Sequence, residues 1–271
     1  MVEGEVNRGL VTVTGGALRA GWRWSWLFGS LSIAALLLFS KFTPPFDAMW
    51  QQLDMAVFRA TNASLSWGSA WQWLWGITNH RAFDAVGGGF FLVIFCWFIY
   101  RGRGEERGRR LAAGGFIFAW TVMVLDISSD WVFNFHHPSP TLSVPDAVRL
   151  SELVPNFKLK DSSGGSFPGD HGTALIMFAA MTGYYAGRRL GMLAAAGAVL
   201  FALPRLMSGA HWLSDIAVGS VSVALVALSL ALATPLHSVA IRLIVLPLTK
   251  IFRLFGILRI RVRGQRGREE T

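Results

Sequence analysis

Six apolar runs dominate the chain, at about residues 22–40, 84–100, 111–133, 171–187, 190–207 and 214–234. A helix needs roughly 20 such residues to cross the hydrocarbon of a bilayer, and tilt and interfacial tryptophans accommodate runs a little shorter or longer. Lipid offers a backbone no hydrogen-bond partners, so runs of this length fold as helices. The fold class expected is therefore all-α, a polytopic membrane bundle of six transmembrane helices with further helices lying in the outer interface. Composition agrees, because 53% of the 271 residues are hydrophobic and only 15% charged, too apolar a balance for an ordinary water-soluble domain. The last three runs are rich in Gly and Ala, which suits close helix packing in lipid.

The formal charge of +9 does not point to nucleic acid, because the basic residues cluster at the ends of apolar runs, as topology signals do. With the N-terminus inside, 18 of the 25 Lys and Arg fall on the cytoplasmic side: Arg8, Arg19, Arg23, the RGRGEERGRR loop at 101–110, Arg188, Arg189 and the C-terminal cluster. The positive-inside rule selects that orientation. The first run ends in FSKFTPP and lacks a small-residue cleavage site, so it reads as an uncleaved anchor. The chain divides into a cytoplasmic N-terminal segment (1–21), a membrane domain (22–234) and a basic amphipathic tail (235–271) that suits an anionic inner surface. A single Cys96 excludes an intrachain disulfide and a Cys-based zinc site.

Three segments remain outside, 41–83, 134–170 and the connection around 205–215, and five of the six histidines lie on or beside them. The Trp-rich first segment fits helices in the membrane interface. In the last, RLMSGAHWLSD sets Arg205, His211 and Asp215 at spacing R-x5-H-x3-D. With a helix starting at His211, the His and Asp stand one turn apart on a single face, where a carboxylate can hold the imidazole. One ring nitrogen bonded to Asp215 leaves the other as the reactive atom of a base or a nucleophile. Arg205 adds a permanent cation whose planar fork suits phosphate oxygens. Upstream, SFPGDHG (166–172) places a Pro-Gly turn at the head of an apolar run, so that backbone amides at a helix N-terminus, around Gly169 and Asp170, face an anion. His171 stands at that mouth. Two histidines of opposite protonation state can divide attack at phosphorus and protonation of the leaving oxygen.

These residues resemble the type-2 phosphatidic acid phosphatase family, whose fold is shared with vanadium haloperoxidases and soluble acid phosphatases. Its third motif is matched by Arg205, His211 and Asp215, with Pro204 where the family commonly has Ser. Its second, P-S-G-H, appears as Pro168-Gly169-Asp170-His171, so the phosphate-binding Ser is missing there and Ser166 is the nearby substitute. The first motif, which supplies a Lys and an Arg-Pro, falls at FNFHHPSP, where His136-His137-Pro138 stands instead. TNHRAFD (78–84), SPTL (139–142) and RLSEL (149–153) narrow the resemblance to a subgroup of inner-membrane enzymes that move a phosphate from undecaprenyl diphosphate to lipid A.

The resemblance implies a phosphohistidine at His211, Asp215 as its orienter, His171 as general acid and Arg205 as phosphate clamp. It also implies substrate contacts from Ser166, Gly169, Asp170, His136, His137 and Arg81, with no metal and no other cofactor. The implied partners are undecaprenyl diphosphate, lipid A or another lipid phosphate, and the bacterial inner membrane, with the site facing the periplasm.

Several alternatives stay open at this level. Water could replace lipid A as acceptor, giving an undecaprenyl diphosphate phosphatase. The altered first motif could instead mark a non-catalytic lipid-headgroup binder. His136 and His137 could clamp phosphate, ligate a metal with His171, or cap a turn. Asp126 and Asp130 suggest an ion pair with Arg81 or Arg205. Lys158 and Lys160 either attract an anionic headgroup or lie in a solvated loop.

Overall fold

A computed structural model describes residues 21–103 and 105–244, so the N-terminal segment before residue 21 and the tail from residue 245 onward lie outside the described residues. Helix α1 spans Trp24–Phe42 and stops at Thr43-Pro44-Pro45, where prolines remove donors and bar the preceding residue from helical backbone. Helices α2 (Phe46–Ser64) and α3 (Ser69–Asn79) fill the Trp-rich segment. Helix α4 (Arg81–Tyr100) begins at His80, whose Nδ1 accepts the Ala82 amide at 3.1 Å. Helix α5 (Glu105–Ile127) continues into a π-helical turn at Ser128–Val132. After a long connection come α6 (Asp170–Ala186), α7 (Arg188–Met207), a π turn (Asp215–Ser220) and α8 (Val221–Leu232).

Each apolar run is thus helical, yet the runs differ in reach. Five stretches are long and apolar enough to cross a membrane: Trp24–Phe42, Arg81–Tyr100, Glu106–Val132, Arg188–Met207 and Asp215–Leu232. The run expected at 171–187 is α6, whose 17 residues reach about 26 Å against a hydrocarbon core of about 30 Å. Its surroundings explain the shortness. Helix α6 packs against α5, α7 and α8, and Thr173, Met177 and Met181 on it are fully buried, so protein rather than lipid meets most of its surface. The outer helices are the reverse. Phe28, Leu36, Leu92, Val93, Phe118 and Leu200 are each more than half exposed, an arrangement that water would penalise and lipid favours.

The hairpin α6–α7 is the centre of the bundle. A single residue, Gly187, joins its two helices, and a Cβ on Gly191 would lie 2.5 Å from the Cα of Gly183, so the crossing requires glycine at 191. Ala194 and Ala198 of α7 pack with Phe91 and Ile94 of α4. Phe98, Ile117, Met181, Tyr185 and Leu232 form a second core. Helix α2 touches α1 and α7, and α3 touches α7. The 133–169 connection is closed on itself by Ser139 N donating to Ser163 O (2.9 Å) and Thr141 Oγ1 donating to Asp161 O (2.5 Å).

Candidate active site

The end of α7 is turned by its own backbone. The amides of Ala210 and His211 both donate to the Arg205 carbonyl, at 3.1 and 3.3 Å, and Gly209 adopts φ +71°. Only glycine fits, because the left-handed backbone is costly for other residues and a Cβ would lie 2.8 Å from Thr141 Cγ2 and 2.9 Å from Phe58. The turn brings His211 to the head of α6.

His211 is buried, and its Nδ1 lies 2.8 Å from the backbone carbonyl of Ser166. A carbonyl only accepts, so Nδ1 carries a proton, and in the neutral ring the lone pair is then on Nε2. Asp215 stands 3.5 Å from Nδ1, and its Oδ2 accepts the Trp212 amide at 2.8 Å. The expected pairing is therefore an ion-pair contact and not a hydrogen bond, for a local reason: the helix begins only after Trp212, and the carboxylate folds back to close that first turn. The backbone therefore supplies the bond and Asp215 the charge. Nε2 of His211 has no hydrogen-bond partner, and the residue lines a polar cavity of about 170 Å³ with Asn134, Lys160, Ser163 and Asp170.

Asp170 opens α6 with its Oδ1 taking the His171 amide at 2.7 Å and standing 2.9 Å from His171 Nδ1. The same oxygen is 3.7 Å from His211 Nε2, and its Oδ2 is 3.6 Å from Lys160 Nζ. A carboxylate thus occupies the electropositive helix mouth that was expected to meet phosphate. The Gly169 amide is likewise engaged, donating to the Asp215 carbonyl at 3.0 Å. His171 Nε2 lies 3.2 Å from Asp84 Oδ2 and 3.1 Å from Arg205 Nη2. Arg205 is buried and holds Asn79 Oδ1 and Asp84 Oδ1, each at 2.6 Å. Asn79 in turn donates to the Lys160 carbonyl at 3.0 Å, tying the clamp to the cavity's lysine.

The histidine pair of the first motif divides. His136 is exposed, whereas His137 turns inward, with its Nδ1 3.1 Å from Ser166 Oγ and 3.6 Å from Asp215 Oδ1. Ser166 is fully buried, and its hydroxyl donates to the His137 carbonyl at 2.9 Å. Because that hydroxyl has one proton, His137 Nδ1 is the donor between the two side chains. Ser166 therefore links two histidines and does not line the polar cavity. Burial pushes the His137 imidazole below its usual range; Asp215 opposes this and Lys41 reinforces it. Such a ring is neutral near pH 7 and poorly suited to clamp an anion. Arg81 is exposed and lines no part of the polar cavity. Among the described residues, no three His, Cys, Asp or Glu side chains gather as a metal site.

Several members stand in roles that the sequence did not give them. Lys160, read as a headgroup attractor or a solvated loop residue, lines the cavity, while Asn79 and Asp84 of the TNHRAFD segment hold Arg205. Asp54 of α2, within the Trp-rich belt, is buried and accepts from Ser214 N (2.7 Å), Ser214 Oγ (2.6 Å) and Lys41 Nζ (3.1 Å), bracing the turn beside Asp215. For Asp54, one of two carboxylates with Asp47 in its helix, the sequence held no such signal.

Residues 131–238, which contain His137, Asp170, His171, Arg205, His211 and Asp215, match the PAP2 superfamily. Over 212 residues the chain is 38% identical to lipid A 1-diphosphate synthase of Escherichia coli (strain K12), covering 76% of this chain and 86% of that protein. The chain belongs to the PAP2 superfamily. It is a multi-pass membrane protein of that phosphatase superfamily, and the matched PAP2 region takes in α6, α7, α8 and the connection bearing His136 and His137. No solved structure matches it. The PAP2 motifs thus sit on the α6–α7 hairpin, and Asn79, Asp84 and Asp54 reach them from helices outside the matched region.

Proposed function

We propose that this PAP2 protein is a lipid phosphotransferase that moves the terminal phosphate of undecaprenyl diphosphate to the 1-phosphate of lipid A, through a phosphohistidine at His211. The observation that carries the reading is the unpartnered Nε2 of His211, in a buried ring whose Nδ1 a backbone carbonyl holds, beside a cavity that holds Lys160. In the first step Nε2 attacks the terminal phosphorus, the bond from phosphorus to the bridging oxygen breaks, and undecaprenyl phosphate leaves with the electron pair. His171 gives that oxygen a proton; Asp170 and Asp84 on either side of its ring favour the charged form.

In the second step an oxygen of the lipid A phosphate attacks phosphorus, the N–P bond breaks, and Nε2 recovers its electron pair. His171 takes up the acceptor's proton, which restores the starting state. Asp215, 3.5 Å from Nδ1, offsets the positive charge that the ring carries while phosphorylated. Arg205 and Lys160 stabilise the transferred group, and the substrate displaces Asp84 and Asp170 from these cations as it enters. The distribution of basic residues supports six crossings, with α6 among them, both termini inside and the site toward the periplasm.

The test follows undecaprenyl diphosphate labelled in its terminal phosphate, with and without lipid A. Label appearing on lipid A supports the reading. Equal release of free phosphate in both conditions replaces it with a phosphatase, and label that never moves leaves a headgroup-binding protein. His211→Ala is expected to abolish turnover in a folded protein.

A further inference from the structure

A second and larger cavity, of about 590 Å³, lies between α4, α5, α6 and α7. Its lining is apolar, with phenylalanines such as Phe91, Phe118 and Phe178, and two residues alone are ionisable: Asp84 and His171, side by side. On α4 the lining runs from Phe83 to Ile99, about 24 Å along the helix. It therefore descends from the His171 end for most of the length of a crossing. Dividing volume by length leaves a narrow channel, about 25 Å² in cross-section, shaped for an extended hydrocarbon chain. Counting a methylene as about the 30 Å³ of a water, the cavity accommodates about 20 chain carbons.

His171 lies at the junction of this cavity and the polar one. Its neighbour Asp170 and His211 line the polar cavity, while its own ring lines the apolar one. We propose that the apolar cavity binds the headgroup-proximal part of the hydrocarbon chain of a single-chain polyprenyl diphosphate donor, with the headgroup crossing the Asp170–His171 edge so that its terminal phosphate meets His211. This rests on the phosphotransfer reading and specifies which lipid leaves: the group whose oxygen His171 protonates is the one whose chain lies on His171's side. Gly88 and Gly115 form part of the wall on two facing helices, and a Cβ on either meets nothing within 4 Å, so the glycines widen the channel and are not required by packing.

The full-length protein in lipid nanodiscs is irradiated with a polyprenyl diphosphate of about 20 carbons bearing a diazirine at its tail. Adducts mapped by mass spectrometry are expected on the α4 and α5 lining. Labelling is expected to fall more than tenfold in Gly88→Leu and in Gly115→Leu. It should be unchanged in Gly89→Leu, where the new side chain also enters open space but outside the cavity. Adducts elsewhere, or equal labelling in all four proteins, overturn the proposal, and the wild-type map decides even where a variant does not fold. Two-chain phosphatidate that competes as well as unlabelled polyprenyl diphosphate would likewise overturn the single-chain assignment. Labelling needs no turnover, so a labelled cavity in a protein that transfers no phosphate sinks the phosphotransfer reading alone.

Discussion

His211 and Ser166 are joined by a 2.8 Å hydrogen bond from the ring Nδ1 to a backbone carbonyl, a contact that no side-chain substitution at position 166 removes. Asp215 acts on the ring from 3.5 Å, as a charge. Asp215→Asn should therefore keep the reactive tautomer and lose only electrostatic support, about 1.5–3 kcal/mol, or a roughly 10- to 150-fold fall in phosphotransfer. Single-turnover rates check this; a loss as complete as in His211→Ala would mean that the tautomer depends on Asp215.

Ser166→Ala removes the hydroxyl between the two histidines and leaves the carbonyl in place. Expected is a stability loss of about 1 kcal/mol with KM for the lipid diphosphate nearly unchanged. A tenfold rise in KM would instead put the hydroxyl on the substrate.

Arg205→Lys exchanges a fork for a point charge. One ammonium cannot hold both Asn79 and Asp84 in the present geometry, so a buried amide oxygen loses its partner. KM should rise about 10- to 100-fold, with thermal stability lower by about 1–3 kcal/mol. Unchanged KM would remove Arg205 from the phosphate site.

His137 gives the protein an acid limit. Its unfolded ring titrates near 6.5, and burial holds the native value below that. The native state thus binds fewer protons than the unfolded chain in this window, so this contribution to stability is present above about pH 6.5 and is lost as pH falls through the native value. The unfolding midpoint in detergent should drop between pH 7 and pH 5, and His137→Gln should flatten that slope. A midpoint that rises on acidification would contradict the burial argument.

What the sequence made legible was local. Apolar runs are readable because lipid requires the backbone to bond within each segment, and R-x5-H-x3-D is readable because its members lie within one short stretch of chain. Contacts across the chain were not. Arg205 was considered for Asp126 or Asp130 but is held by Asp84, which comes from a different helix, and both of the other carboxylates are exposed. His136 and His137 are chemically identical neighbours; only the pairing of His137 with Gly165 turns one inward and the other out. Lys160, in a polar loop, gave no sign that Asn79 would fix its backbone beside His211.

The α6–α7 hairpin carries His171 near one tip and Arg205 near the other, with Gly187 as its whole bend. The two groups are neighbours at 3.1 Å only because the outward and return arms have matched lengths. Deleting one residue from either arm would turn everything beyond it by about 100° and withdraw it by about 1.5 Å. Substitutions along the arms leave that match of lengths intact, whereas insertions and deletions break it, and variation in the length of this protein must be sought outside residues 171–205.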